Sequence, residues 1–130
     1  MDFVRWLHPD QFDKRKNRFT SVAFKNSDGG LSVVDPVCAD SKSGNLEVHA
    51  RKYYPTLVGP DVIFWRFDLA VLPSIASAKP DPSVTGDDCH YDIMGLSDTQ
   101  LRSAFLNRPV SEFTIVDAGV QRAFCVSDIM

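Results

Sequence analysis

The run from Asp61 to Leu69, DVIFWRFDL, constrains this chain more than any other stretch. In an extended backbone, Ile63, Trp65, Phe67 and Leu69 fall on one side, and Phe64, Arg66 and Asp68 on the other. The first side is wholly apolar and must be covered. The second begins with an aromatic ring and ends in charge, so it is covered only in part. Such a strand belongs inside a sheet rather than at its edge. The remaining residues must therefore supply further strands and an apolar layer to pack on them. With 130 residues, 44% hydrophobic and 24% charged, there is enough material for one domain with its own core.

The flanking patterns supply those strands. Val4 and Trp6 predict a first strand ended by Pro9, and the charged run Asp13 to Arg18 predicts a solvated turn. RFTSVAFK (Arg18 to Lys25), the turn signal NSDGG (Asn26 to Gly30) and LSVVD (Leu31 to Asp35) predict a hairpin. Pro36 to Gly44 reads as a loop, and Asn45 as the cap of a short helix with Leu46, Ala50 and Tyr53 or Tyr54 inward, ended by Pro55. LAVLPSIASA predicts a short helix, and KPDPSVTGDD (Lys79 to Asp88) a surface loop. CHYDIMG follows as a strand. Ser97 and Gln100 form a capping box for a helix over Ser97–Asn107, with Leu96 stapled to Leu101. SEFTIVD and VQRAFCV close the chain as a hairpin turning at Asp117-Ala118-Gly119. Hairpins outnumber βαβ units. The fold class is α+β: a compact single domain over residues 1–130, with a mixed, mostly antiparallel sheet and short helices packed on it.

Charge and cysteine content narrow the function classes. Lys and Arg number 14 against 17 Asp and Glu, a formal charge of -3, which argues against nucleic acid as a partner. No apolar run approaches the roughly 18 residues of a membrane span, and no targeting signal is visible, so a cytoplasmic location is expected. Cys38, Cys89 and Cys125 show no C-x-x-C spacing. The odd total and the expected compartment argue against a disulfide framework, and all three read as small apolar residues or incidental thiols. Cys89 and His90 are adjacent and face opposite ways in a strand, so no shared metal is expected, and no cofactor.

The chain carries Leu7-His8-Pro9, an Arg-x-Ser/Thr-Ser-x-Ala-Phe stretch within Arg18–Lys25, Leu31-Ser32-Val33, a proline-containing loop (Pro80, Pro82), and His90-Tyr91-Asp92-Ile93. In these short motifs it resembles a family of small bacterial proteins with no established activity. The likeness is scattered over residues 4 to 96 and stops short of the closing hairpin. It implies a compact bacterial domain and supplies no mechanism. It singles out His8, Arg18, Thr20, Ser21 and His90. Arginine holds phosphate bidentately, a hydroxyl donates to it, and histidine carries a proton near neutral pH. Thr20 shares its face with Val22 and Phe24, so Ser21 is the hydroxyl chosen. The plain alternative makes these ordinary strand residues and strand ends. His90 beside Asp87 and Asp88 reads as a proton-transfer pair or as a loop histidine with acidic neighbours.

Two functions compete at this stage. The first is a binding or accessory module acting through a protein partner, favoured by size, acidity and the lack of a P-loop, a dinucleotide fingerprint or a nucleophile elbow. The alternative is a small enzyme acting on a nucleotide or nucleic-acid phosphate with His8, Arg18, Ser21 and His90, for which a nucleotide would be the ligand. A metal-dependent nuclease using Asp87, Asp88 and Asp92 ranks last. Convergence of the four side chains in one cleft separates the first two.

Overall fold

The computed structural model describes residues 1–20, 23, 30–81, 86–105 and 108–129. Strand β1 (Asp2–Leu7) pairs over its full length with β5 (Val62–Asp68), from Asp2 opposite Asp68 to Leu7 opposite Ile63. Outward on one side lie β4 (Leu31–Val34), β7 (His90–Met94) and the edge strand β6 (Ser77–Pro80); outward on the other lie β8 (Phe113–Asp117) and β9 (Val120–Ala123). Every pairing in this seven-stranded sheet is antiparallel. A two-stranded ribbon, β2 (Phe12–Asp13) with β3 (Arg18–Phe19), stands apart from it. The domain is α+β.

Side-chain alternation sorts the sheet into two cores. Phe3, Leu7, Ile63, Trp65, Phe67, Phe113 and Ile115 face one way, under Phe12 and Phe19 of the ribbon, Phe124, and Leu101 and Phe105 of helix α3 (Asp98–Phe105). Val4, Trp6, Val34, Phe64, Val62 and Val116 face the other way, under helices α1 (Pro36–Ser43) and α2 (Leu46–Tyr53). β5 is thus covered on both faces along its first half, and only Arg66 and Asp68 emerge. The capping box of α3 forms as expected: the Gln100 backbone N–H donates to Ser97 Oγ at 3.2 Å and the Ser97 N–H to Gln100 Oε1 at 3.0 Å. Asn45 caps α2 through the Val48 N–H at 2.8 Å.

Four expectations need correction. Residues 36–43 form α1 rather than a loop, because Asp35 caps the Val37 and Cys38 N–H groups, Pro36 occupies the first turn and Gly44 terminates the helix at φ 92°. The expected Arg18–Asp35 hairpin is not the pairing found. β3 pairs with β2, while β4 lies between β1 and β7, since Leu31 and Val33 face one core and Val34 the other; the turn at 26–29 lies outside the described residues. LAVLPSIASA forms one 3-10 turn, Leu69–Val71, and then runs into β6, whose last two residues come from the expected loop. Helix α3 is described to Phe105, and 106–107 lie outside the described residues.

The fourth correction concerns sulfur. Cys38, in the first turn of α1, and Cys89, just before β7, form a disulfide across 51 residues of chain. Spacing along the sequence is silent here, because the two meet only once α1 packs beside β7. Cys125 is a free, exposed thiol.

Trp65 is 3% exposed, stacked on Phe67 at 4.4 Å between ring centroids and edge-on to Phe105 at 4.6 Å. Trp65→Ala should therefore cost about 3–5 kcal/mol. The check is equilibrium urea unfolding, and an unchanged midpoint would contradict the described packing of β5 on α3.

Candidate functional site

His90 is the sequence-selected residue with the most developed surroundings. The β4–β7 register sets Ser32 opposite Asp92 and Val34 opposite His90, and β6 sets Lys79 opposite Asp92. His90 and Asp92 share the face of β7 opposite Tyr91 and Ile93. His90 is fully buried. Its Nδ1 lies 2.7 Å from the carbonyl oxygen of Asp81, and its Nε2 2.5 Å from Ser32 Oγ. A carbonyl only accepts, so Nδ1 carries a proton, and in the neutral ring Nε2 accepts from the Ser32 hydroxyl. Asp92 Oδ1 stands 3.7 Å from the same Nε2. Close approach here depends on Gly30, where an added Cβ would fall 2.9 Å from the Cβ of Asp92 and 2.8 Å from Met94 Sδ.

The electrostatics of this cluster are acidic. Burial raises the Asp92 carboxyl above its ordinary value, a hydrogen bond and like charge from Asp81 add to this, and His90 and Lys79 act in the opposite direction. The expected acidic neighbours of His90 were Asp87 and Asp88, and neither holds that place. Asp87 turns inward to other partners, and Asp88 pairs with Lys42 at 3.3 Å.

The remaining selected residues stand elsewhere. His8 caps its own 3-10 turn, its Nδ1 accepting from the Asp10 N–H at 3.1 Å while Gln11 Oε1 accepts from the His8 N–H. It lines a pocket of about 360 Å³ with Pro9, Asp10, Pro60, Asp61 and Asp128. Val4 pairs with Val34, and Val34 with His90. His8, four residues beyond Val4, is therefore ~13 Å along and ~10 Å across from His90. Arg18 sits in the ribbon whose Phe19 ring meets Phe113 of β8 at 5.0 Å, on the opposite face of the sheet and four strand positions from β7. Ser21 lies outside the described residues. Among the described residues, no hydrogen bond or ion pair joins His8, Arg18 and His90 to one another.

Two polar features escaped the sequence reading. Arg5, on the same face as Phe3 and Leu7, donates from Nε to the Ala23 carbonyl at 3.0 Å and from Nη1 to the Ser32 carbonyl at 2.9 Å. Burial lowers its guanidinium to about 10. The second is a fully buried network on the helix side. His49 Nε2 lies 2.8 Å from Asp87 Oδ2, Tyr54 donates to the same oxygen at 2.7 Å, and the Cys89 N–H donates to Asp87 Oδ1 at 2.9 Å. Ser43 Oγ sits 2.8 Å from His49 Nδ1. Burial raises the Asp87 carboxyl, but the hydrogen bonds from Tyr54, Cys89 and His49 outweigh it and leave the group below the ordinary carboxylate value. The available signal was the position of His49, three residues after Leu46 and one before Ala50 on the inward stripe of α2.

No family model matches the chain, and comparison with curated proteins and with solved structures finds no match.

The raised Asp92 carboxyl has a defined consequence for stability. A folded value above the unfolded one, ~4, means that the ionised group costs stability at neutral pH, a cost removed as pH falls through the folded value. Asp92→Asn should raise the melting temperature at pH 7, with the gain shrinking toward pH 4. A variant less stable than wild type at pH 7 by calorimetry would show that Asp92 is held ionised by its neighbours.

Proposed function

We propose that this chain is a small bacterial, cytoplasmic binding module that acts by docking onto a protein partner. The observation that carries the reading is a groove of about 720 Å³ between α3 and the connection after β5. Leu72, Pro73, Ala104 and Pro109 give it an apolar lining, and Thr99 and Ser103 give it hydroxyls. The same connection exposes Val71 and Ile75, at 44% and 59%, an apolar rim of the sort that marks contact surfaces. Arg108, at the groove wall, is already occupied by the Ala104 carbonyl, Glu112 and the Trp65 ring. An uncharged, apolar segment of a partner therefore fits better than an acidic one. No described helix is long and apolar enough to cross a membrane.

Ser103→Arg fills the groove with a charged side chain while leaving the buried face of α3 intact. A partner captured in vivo by a photo-crosslinker at position 99 should be lost with Ser103→Arg and retained with Val48→Lys on the opposite helix layer. Capture unaffected by Ser103→Arg, or no crosslink in wild type, would overturn the reading.

The enzyme alternative keeps one specific observation, the Ser32–His90 pair. The nucleotide or nucleic-acid version drew on His8, Arg18, Ser21 and His90, and a phosphate beside His90 would face the carboxyls of Asp81 and Asp92, with Lys79 rather than Arg18 as the cation opposite Asp92. An uncharged acyl substrate suits the pair better: Ser32 Oγ as nucleophile, His90 Nε2 as its base, and the Asp81 carbonyl fixing the tautomer. A fluorophosphonate probe should then label wild type and spare Ser32→Ala. A folded wild type that is not labelled ends this reading.

A further inference from the structure

Four side chains with metal-ligating atoms meet between α1, α2 and the turn before β7. Cys38 comes from the first turn of α1, His49 from the inner face of α2, and Asp87 and Cys89 from the turn. The ligating atoms of His49, Asp87 and Cys89 all lie within 4.8 Å of one another, and all three residues are fully buried. The Cys38 sulfur is bonded to that of Cys89 and so shares the cluster. We propose that, when the Cys38–Cys89 disulfide is reduced, Cys38, His49, Asp87 and Cys89 form a tetrahedral site for Zn²⁺.

The donor set suits zinc: two thiolates, one imidazole and one carboxylate, drawn from separate segments of a closed, water-poor interior. The surrounding hydrogen bonds are those that a zinc site needs. Ser43 Oγ stands at the second ring nitrogen of His49, where it can accept from Nδ1–H and free Nε2 for the ion. Tyr54 and the Cys89 N–H already hold the Asp87 carboxylate in place. In a reducing compartment, the cytoplasmic setting proposed above, a cysteine pair of this kind exists chiefly as thiols. Two thiols beside a buried histidine and carboxylate then await a counter-ion.

The steps balance. A dithiol reductant transfers two electrons and two protons to the disulfide. The Cys38–Cys89 sulfur–sulfur bond breaks, two protein thiols form, and the reductant leaves as its own disulfide. Zn²⁺ then forms two zinc–sulfur bonds and releases the two thiol protons to solvent, while the His49 proton moves from Nε2 to Nδ1. The strut between α1 and β7 is kept in both states, by a covalent bond in one and by the ion in the other.

The test uses the full chain in a Cys125→Ser background, which removes the remaining thiol. Reduced with a phosphine under argon, it should bind one equivalent of Co²⁺, with thiolate charge-transfer bands and the intense visible bands of four-coordinate cobalt. One equivalent of Zn²⁺ should bleach both. The oxidised chain should show neither, and Cys38→Ser and His49→Gln should each weaken binding at least tenfold. Circular dichroism reports folding in every sample. A reduced chain that is folded yet binds no Co²⁺, or binds it without thiolate bands, would overturn the proposal. So would a reduced chain that unfolds and is not restored by Zn²⁺. A signal abolished by Asp92→Asn but kept by Cys38→Ser would move the ion to the separate Asp81–His90–Asp92 cluster and overturn it equally.

Discussion

Pairing of β1 with β5 over six residues makes every other placement in the domain a consequence of alternation. Once Trp6 is set opposite Phe64, and Leu7 opposite Ile63, each strand presents apolar side chains to both faces, and neither face can be left to water. Burial of one such side chain contributes about 1.5–3 kcal/mol, so a pair lined with Phe3, Leu7, Ile63, Trp65 and Phe67 on one side demands a full layer there. The chain meets that demand unequally. Two helices in sequence, α1 and α2, cover one face, while α3, the β2–β3 ribbon and Phe124 are assembled piecemeal over the other.

That inequality explains what the sequence made legible. Features fixed by a few neighbouring residues were readable: the two-faced β5, the Asn45 cap, the Ser97–Gln100 box with Leu96 and Leu101 both in the core, and the closing hairpin, whose Ala118 and Gly119 both adopt positive φ. Features decided by partners far along the chain were not. The alternation from Arg18 onward suited a hairpin, yet the Phe12 ring, 5.1 Å from Phe19, gave β3 a nearer partner. β6, with Lys79 and Pro80 in an exposed edge position, carries the composition of a loop because an edge strand needs only one neighbour. Helix α1 is different, since its start at Asp35-Pro36 and its stop at Gly44 are local signals that the sequence carries.

The candidate site divides along the same line. His90 was found through its motif, but its true partners, Ser32 and Asp81, lie 58 and 9 residues away and are set by register. The buried network around Asp87 was invisible for a physical reason. A carboxylate in an apolar interior is costly unless each oxygen is satisfied, and the three donors that satisfy it come from α2, from Tyr54 at its C-terminal end and from its own turn. Nothing in the local sequence of Asp87 announces the donors on α2. Arg5 follows the same logic with backbone carbonyls as partners, and so ties Ala23 to Ser32 of β4.

The segment from Asp87 to His90 joins the two polar centres through its backbone. The His90 N–H donates to the Asp87 carbonyl at 3.1 Å, and the Asp35 N–H to the Cys89 carbonyl at 2.9 Å. Asp87 therefore looks into the helix layer with its side chain while its main chain fixes the start of β7, where the His90 ring must reach Ser32. Asp35 in turn caps α1, which carries Cys38. The constraint runs in a loop: sulfur pair, α1, Asp35, the Cys89 carbonyl and back to the sulfur pair. A short closed circuit of this kind leaves His90 little freedom relative to β4. The position of the Ser32–His90 pair is thus determined as much by the helix layer as by the sheet on which both residues stand.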